Sequence, residues 1–182
     1  MKKIYLIRHC EASGQEPDAP LTENGHRQAK ELVSFFESRS VNRILSSPFR
    51  RAIESIEAVA FQKNCSIEIQ DDLRERVLSR QPLTDWQEHL QRTFTDFDYA
   101  CPGGETSAEA TRRIQDIMND VWSHSAETTV LVTHGNLMAL LLKAIDSYFG
   151  FDDWKQMSNP DVYFVMKEKE IYTYKRLWNE TR

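Results

Sequence analysis

Short apolar segments rich in β-branched and aromatic residues alternate along this chain with longer segments of helical periodicity. Strands are predicted at residues 3–7, 43–45, 67–69, 130–133, 162–166 and 170–174. Helices are predicted around residues 29–36, 53–60 and 114–122, where apolar residues repeat on one face, and over residues 136–147. This alternation predicts an α/β three-layer sandwich, with a mainly parallel central sheet and helices on both faces.

Helix starts and one turn can also be assigned from local signals. Thr22 precedes the first helix, and the segment 106–109 (TSAE) has the form of a capping box. Ser47 and Pro48 are predicted to open the second helix, with the proline at the favoured first position. Glu168 and Lys169 are predicted to join the last two strands as a hairpin.

The length of 182 residues favours a single domain over residues 1–182, large enough to bury a real core. A less regular segment at about 77–102 interrupts the pattern, and we interpret it as an excursion from the sheet. It carries several aromatic residues: Trp86, Phe94, Phe97 and Tyr99. Two structures fit this segment equally well, a helix packed by its aromatic side chains or a cap over a substrate.

Charge and composition exclude several classes of protein. The net charge of -5 argues against nucleic-acid binding, which normally requires an excess of basic residues. The three cysteines are an odd count without a Cys-x-x-Cys pair, which argues against a disulfide framework and a zinc knuckle. The first apolar run is too short for a signal peptide, and no run could span a membrane, so we expect a cytoplasmic protein without a membrane partner.

Polar side chains follow three of the predicted strands. Arg8 and His9 end the first strand, the segment 46–51 (SSPFRR) follows the second, and His134 follows the strand at 130–133. Ligands of open α/β sheets bind beyond the carboxyl ends of the strands. We therefore expect two histidines and several arginines to meet at one edge of the sheet.

Arg50 and Arg51 both fall in the first turn of a helix, where the helix dipole disfavours cations. A bound anion would explain them, because free backbone N–H groups and a guanidinium together bind phosphate well. Neighbouring helical residues point about 100° apart, so only one arginine is expected to face the site. We assign that position to Arg51 and place Arg50 in solvent.

The residues around His9 leave three chemistries open. Cys10 could be a thiol nucleophile assisted by His9, both residues could bind a metal, or His9 could be presented beside Arg8 to an anionic substrate. The metal site is the weakest of these, because adjacent residues are awkward ligands for one ion. Glu75 lies in a charged stretch whose pattern alone indicates a solvated surface, with Asp72 and Arg76 spaced as an i,i+4 pair.

Six separated segments resemble the histidine phosphatase superfamily, also called phosphoglycerate-mutase-like. They occur in the expected order from residue 3 to about 140. They are RH at 8–9, LTENGHRQA at 21–29, SSPFRRA at 46–52, LRER at 73–76, PGGE at 102–105 and THGN at 133–136.

The resemblance implies a catalytic set made of His9, Glu75 and His134. His9 would attack the phosphoryl group as a neutral imidazole, and Glu75 would protonate the leaving oxygen and then activate water. Arg8, Arg51 and His134 would surround the phosphoryl oxygens, with Gln15 as a further phosphate contact.

Cys10 departs from the pattern, because relatives commonly have Gly at this position, which permits a positive φ. The surrounding arginines would lower the pKa of its thiol, so a redox-sensitive Cys10 is a side hypothesis.

The predicted function is hydrolysis of a small phosphorylated metabolite through a phosphohistidine intermediate, with no cofactor and no metal. The short segment of about 25 residues between Glu75 and Pro102 favours this phosphatase branch over longer mutases. The alternatives are a cofactor-dependent phosphoglycerate mutase and a non-catalytic module that binds a phosphorylated ligand. The oligomeric state is not predicted.

Overall fold

The computed structural model describes residues 2–178, and within them six strands and six α-helices. The strands are β1 (Lys3–Arg8), β2 (Arg43–Ser46), β3 (Ile67–Ile69), β4 (Thr128–Thr133), β5 (Asp161–Glu168) and β6 (Ile171–Arg176). The helices are α1 (Glu23–Phe36), α2 (Arg50–Gln62), α3 (Trp86–Thr93), α4 (Ser107–Ser123), α5 (Gly135–Ile145) and α6 (Phe151–Lys155). A short 3-10 helix, Asp71–Leu73, follows β3.

The six strands form one sheet in the order β3-β2-β4-β1-β5-β6. The first four strands along the chain are parallel to one another, whereas β5 runs antiparallel to β1, and β6 antiparallel to β5. The predicted mainly parallel sheet is therefore confirmed. Because β1, β2 and β4 are parallel neighbours, their carboxyl ends meet at one edge of the sheet.

Alternating residues of the central strands face two separate hydrophobic cores. Ile4 and Leu6 of β1 join the core formed with α4 and α5, while Tyr5 and Ile7 join the core formed with α1 and α2. Side chains of a strand alternate between the two faces of the sheet, so each face needs its own helical cover. The predicted three layers are confirmed, and solved structures discussed below share them.

Two of the predicted helix caps are present and one is wrong. Thr22 Oγ1 accepts a hydrogen bond from Gly25 N–H, and Thr106 forms the capping box with Glu109. Helix α2 begins at Arg50 rather than Pro48, with Phe49 at the cap position. The Ser47 hydroxyl lies 2.7 Å from His134 Nε2, at the start of α5.

The irregular segment at 77–102 contains helix α3, as one of the two predicted structures requires. Leu90 and Phe94 are buried in the α4–α5 core, so the helix is packed by apolar side chains. Trp86, at the start of α3, is 45% exposed and lines a cleft at the sheet edge. A role for residues 77–102 as a cap remains a prediction.

The predicted hairpin connects β5 and β6, although the turn consists of Lys169 and Glu170. The predicted domain 1–182 includes residue 1 and residues 179–182, which lie outside the described part of the chain. In residues 2–178 no helix is both long enough and apolar enough to cross a membrane.

Candidate functional site

The three strand ends singled out in the sequence lie side by side. Arg8, the last residue of β1, is paired with Thr133, the last residue of β4. The ladder continues past both strand ends, because His9 N–H donates to Thr133 O at 3.0 Å and Ser47 N–H donates to Val132 O at 3.0 Å. These backbone bonds fix the start of each loop that carries a candidate residue.

His9 is held in one defined orientation and tautomer. Arg51 Nε lies 3.2 Å from His9 Nε2, and since Arg51 is only a donor, Nε2 must carry a lone pair. The ring proton is then on Nδ1, which lies 2.6 Å from the carbonyl oxygen of Cys10. Asn159 Nδ2 donates to His9 O at 2.7 Å and fixes the backbone. Nε2 is thus the ring nitrogen of His9 that carries the lone pair.

The surroundings of His9 keep this imidazole neutral. Burial lowers the pKa of His9 to about 3, and the nearby charges of Arg51 and Arg8 act in the same direction. Burial is the larger cause. A neutral imidazole with an unprotonated ring nitrogen is the form required of a nitrogen nucleophile.

Arg50 and Arg51 point in different directions, as predicted. Arg51 is 1% exposed and, besides contacting His9, donates from Nη1 to the carbonyl oxygens of Gln15 and Glu16 at 3.1 and 2.8 Å. Arg50 is exposed and pairs with Glu54 at 2.6 Å. Only Arg51 therefore brings its charge to the site.

His134 is fully buried directly beside His9. The two ring centroids are 5.0 Å apart, and His134 Nε2 lies 2.7 Å from Ser47 Oγ. Burial lowers the pKa of His134 well below its usual value, and the nearby His9 acts in the same direction. Nδ1 of His134 has no hydrogen-bond partner within residues 2–178.

Arg8 packs on the first residue of α5. A Cβ atom at Gly135 would lie 3.0 Å from the Arg8 guanidinium carbon, so glycine leaves the room that this side chain occupies. Arg8 Nη1 donates to Met157 O at 3.0 Å, whereas its Nε is buried without a partner in the described chain. Burial lowers the pKa of Arg8, although an arginine remains charged in proteins.

Glu75 occupies the N-terminus of α5. Its carboxylate accepts hydrogen bonds from the backbone N–H groups of Asn136 and Leu137, both at 3.0 Å, and from that of Arg76 at 2.8 Å. A helix N-terminus readily binds an anion, and at α5 the Glu75 carboxylate of the protein itself takes that place. At α2, Arg50 N–H donates to Pro17 O instead of remaining free.

The charged stretch around Glu75 does not form the i,i+4 pair that its pattern allows. Arg74 pairs with Asp71 at 2.8 Å, and Arg76 is buried rather than solvated. The interpretation as a solvated surface is therefore wrong for Glu75 and Arg76. Both residues follow the 3-10 helix and contact the first turn of α5.

Gln15 is exposed and completes the set of predicted residues at this edge. With Arg8 and Glu75 it lines a cleft with a volume of about 540 Å³. The cleft is also lined by Arg76, Leu78, Trp86, Leu90, Gly135, Asn136 and Trp154. Three of the six predicted site residues thus line the cleft. Of the other three, Arg51 bonds to the Gln15 carbonyl oxygen, and His9 and His134 adjoin the lining residues Arg8 and Gly135 along the chain.

Sequence reasoning missed Ser47, Asn159 and Trp154. Ser47 was interpreted as a helix cap, although its place after a strand end was a usable signal. Asn159 and Trp154 lie in a segment without a recognisable pattern, so nothing in the sequence placed them near His9.

Cys10 is not a reactive thiol. It is 0% exposed within the α1–α2 core, and burial raises the pKa of its thiol to about 12, the reverse of the predicted lowering. Its backbone N–H donates to Ser55 Oγ at 2.8 Å. Among the described non-glycine residues only Asn64 and Lys169 have a positive φ, so Cys10 does not need the freedom of glycine.

Comparison with known proteins gives relatives over nearly the whole chain. The family model of the histidine phosphatase superfamily (branch 1) matches residues 4–176. The probable phosphoglycerate mutase GpmB of Proteus mirabilis (strain HI4320) is 28% identical over 163 residues, which cover 80% of this chain and 75% of that relative.

Solved structures share the fold at low identity. A mycobacterial glucosyl-3-phosphoglycerate phosphatase matches with a TM-score of 0.77 and 20% identity over 97% of each chain. A phosphoserine phosphatase mutant from Entamoeba histolytica, in complex with phosphoserine, has a TM-score of 0.73 and 20% identity over 96% of this chain and 95% of that one. With the family model matching residues 4–176, this chain belongs to the histidine phosphatase superfamily.

Proposed function

We propose that this protein hydrolyses phosphomonoesters through a phosphohistidine intermediate on His9. The observation that carries the proposal is the state of His9: a buried neutral imidazole whose Nε2 lone pair is free of a proton and faces the Arg51 guanidinium. This arrangement suits attack on a phosphoryl group, whose negative oxygens the guanidinium would bind.

The reaction has two displacement steps. His9 Nε2 attacks phosphorus and forms a P–N bond while the ester P–O bond breaks, and Glu75 supplies the proton taken by the leaving oxygen. Glu75 then removes a proton from water, which attacks the phosphohistidine and breaks the P–N bond. Inorganic phosphate leaves, and the electron pair returns to His9.

The remaining site residues stabilise the phosphoryl oxygens in this proposal. Arg8 and Arg51 supply two positive charges, and His134 and Gln15 supply further contacts. Most of the barrier to phosphoryl transfer is lowered by such positioning and electrostatics. Because side chains supply the nucleophile and the charge, the proposal includes metal-independent chemistry.

A phosphoglycerate mutase is the second candidate, because curated relatives at 27–28% identity carry that name. We favour the phosphatase because residues 77–102 form only a short covering segment with one helix. Incubation with phosphoglycerate separates the two: a phosphatase releases inorganic phosphate, and a mutase redistributes the phosphoryl group. A cytoplasmic location and a cap role for residues 77–102 belong to the same proposal.

The first test is hydrolysis of an activated aryl phosphate between about pH 5 and 8 with excess EDTA. We expect activity in the wild-type protein, loss of turnover in His9→Ala, and unchanged turnover in His26→Ala, which removes an exposed histidine. A phosphoryl group bound to the wild-type protein and released by acid, but absent from His9→Ala, would identify the phosphohistidine intermediate. Activity that EDTA abolishes would contradict the metal-independent mechanism, and inactivity would favour a non-catalytic binding module.

A further inference from the structure

The PGGE segment at 102–105 is a matched motif that the proposed reaction leaves without a role. Its two glycines form a tight turn: Gly103 has a φ of 69°, and a Cβ atom at Gly104 would overlap Leu78 O. The turn therefore packs directly on the backbone of the chain that follows Glu75. A motif without a reacting group that packs this closely on a neighbouring segment is expected to fix the position of that segment.

Glu105, the last residue of this turn, contacts the same segment through its backbone. Its N–H donates to Val77 O at 2.7 Å, and its carbonyl oxygen accepts a hydrogen bond from Arg76 Nε at 2.9 Å. Arg76 and Val77 are the two residues that follow Glu75 in the chain. The turn therefore fixes the chain on the C-terminal side of Glu75.

Arg113 of α4 holds the chain just before the proposed acid. Its Nη1 donates to Arg74 O at 3.0 Å and also to Asp72 O. The carbonyl group between these two belongs to Leu73, and it accepts a hydrogen bond from Thr133 Oγ1 at 2.7 Å. Side chains thus bind three consecutive carbonyl groups, at the point where the 3-10 helix ends and its own N–H groups can no longer reach them.

The Glu105 carboxylate orients the Arg113 guanidinium. Its two oxygens accept hydrogen bonds from Arg113 Nε and Nη2 at 2.6 and 2.9 Å, and this bidentate geometry fixes the plane of the guanidinium. The side chains of Arg113 and Glu105 are only 10% and 19% exposed, so solvent screens this ion pair less than one at the surface. One ion pair therefore connects the PGGE turn, α4 and the segment that carries Glu75.

We propose that Glu105 and Arg113 are positioning residues for Glu75, which keep its carboxylate at the start of α5. This proposal rests on the proposed phosphatase function, in which Glu75 must reach the leaving oxygen. A shift of the segment would move this carboxylate but leave His9 and Arg51 in place, because those residues follow β1 and belong to α2. Small displacements of a reacting group are costly in rate, so loss of the pair should impair proton transfer and spare the nucleophile.

The test is a double-mutant cycle of Arg113→Lys and Glu75→Gln. Lysine keeps the positive charge but lacks the planar fork that reaches the carboxylate and the carbonyl groups together. We expect Arg113→Lys to lower kcat about 10- to 100-fold for glycerol 2-phosphate, and less than about threefold for 4-nitrophenyl phosphate, whose leaving oxygen needs little protonation. In the Glu75→Gln protein, Arg113→Lys should lower neither value further, because it acts through Glu75.

Arg112→Lys is the matched control, because Arg112 is the exposed neighbour of Arg113 in α4, and both kcat values should stay within about twofold. Glu105→Gln weakens the same ion pair and should reproduce the pattern of Arg113→Lys, which it replaces if urea unfolding shows that Arg113→Lys does not fold. Two outcomes overturn the inference: equal slowing of both esters, or losses that add to those of Glu75→Gln.

Amide hydrogen exchange followed by NMR tests the inference independently of activity. The N–H groups of Asn136 and Leu137 donate to the Glu75 carboxylate, so their exchange rates report its position. Exchange of both amides should be severalfold faster in Arg113→Lys and unchanged in Arg112→Lys, and equal rates in all proteins would overturn the inference. A wild-type protein that hydrolyses neither ester would contradict the phosphatase proposal, and the exchange rates would still decide whether the ion pair positions Glu75.

Discussion

At the scale of single residues, one physical cause acts on two neighbours in opposite directions. Burial disfavours the charged form of any group, so it lowers the pKa of His9 to about 3 and raises the pKa of Cys10 to about 12. An uncharged imidazole is the nucleophilic form of a histidine, whereas the uncharged form of a cysteine is unreactive. The same environment therefore favours histidine chemistry over thiol chemistry.

Cys10 is expected to resist alkylation. In the native protein, iodoacetamide at about pH 8 should modify the partly exposed Cys65 before Cys10, as peptide mass spectrometry would reveal. Cys10→Gly should keep aryl phosphatase activity but lower the free energy of unfolding by about 1–2 kcal/mol, because it removes a buried side chain and adds backbone entropy. Inactivation in step with Cys10 labelling, or an inactive Cys10→Gly protein, would restore the thiol hypothesis.

Glu75→Gln tests the proposed acid and base role. We expect kcat to fall about 10²- to 10⁴-fold for phosphate esters of alkyl alcohols, which need a proton on the leaving oxygen, and much less for nitrophenyl esters. A series of aryl and alkyl phosphates measures this dependence on the leaving group. Equal slowing across the series would mean that Glu75 only positions the start of α5 through its two backbone contacts there.

At the scale of elements, the first turn of α2 places two arginine side chains in different environments. Arg50 and Arg51 differ by about 100° around the helix axis. Arg50 consequently reaches Glu54 one turn later, while Arg51 is buried against His9 and the carbonyl groups of residues 15 and 16. The helix thus delivers one charge to the site and one to the surface.

Arg51→Gln and Arg50→Gln form a matched pair. Both remove one positive charge from the same helical turn, but we expect kcat/KM to fall about 10²-fold or more only in Arg51→Gln, because it loses transition-state contacts. Arg50→Gln should stay within about threefold, since exposed ion pairs contribute little. Steady-state kinetics with one aryl phosphate measures both variants, and similar losses would contradict the assignment of Arg51 to the phosphoryl site.

At the scale of the whole molecule, the site exists because three parallel strands end together between two hydrophobic cores. β1, β2 and β4 are neighbours in the sheet, and their ends carry His9, Ser47 and His134. Placing two imidazoles in this buried junction lowers the pKa of each. The neutral state needed for the proposed reaction is therefore a property of the packing.

This packing should make stability depend on pH. Below about 6.5 the unfolded imidazoles take up protons that folded His9 does not take up until about pH 3. The contribution of the two histidines to the free energy of unfolding should therefore be complete above about pH 6.5. It should be lost as the pH decreases, by up to about 1.4 kcal/mol per pH unit for each histidine. Urea unfolding between about pH 7 and 5 measures this loss.

Single substitutions separate the contributions of the two buried histidines to this pH dependence. His9→Gln and His134→Gln should each reduce the loss of stability between about pH 7 and 5 by up to about 2 kcal/mol, while His26→Gln, at an exposed position, should leave it unchanged. An identical pH dependence in the wild-type protein and all three variants would mean that neither buried histidine has a lowered pKa.

The sequence by itself determined the elements and the edge at which the site lies. Periods of two and about 3.6 residues are local properties, so the pattern placed the six strands, the caps at Thr22 and Thr106, and the inward turn of Arg51. Parallel strand ends then had to meet, which brought Arg8, His9 and His134 together. Matching motifs extended the prediction to Glu75, whose local pattern indicated a surface residue.

Only the tertiary structure decided the state of these groups. The lone pair on His9 depends on Arg51, 42 residues away, Glu75 is fixed by backbone groups 61 and 62 residues away, and Arg8 contacts Met157 across 149 residues. The burial of Cys10 is likewise set by packing. Tautomer, pKa and pairing depend on neighbours distant in sequence, and a local pattern carries no information about them.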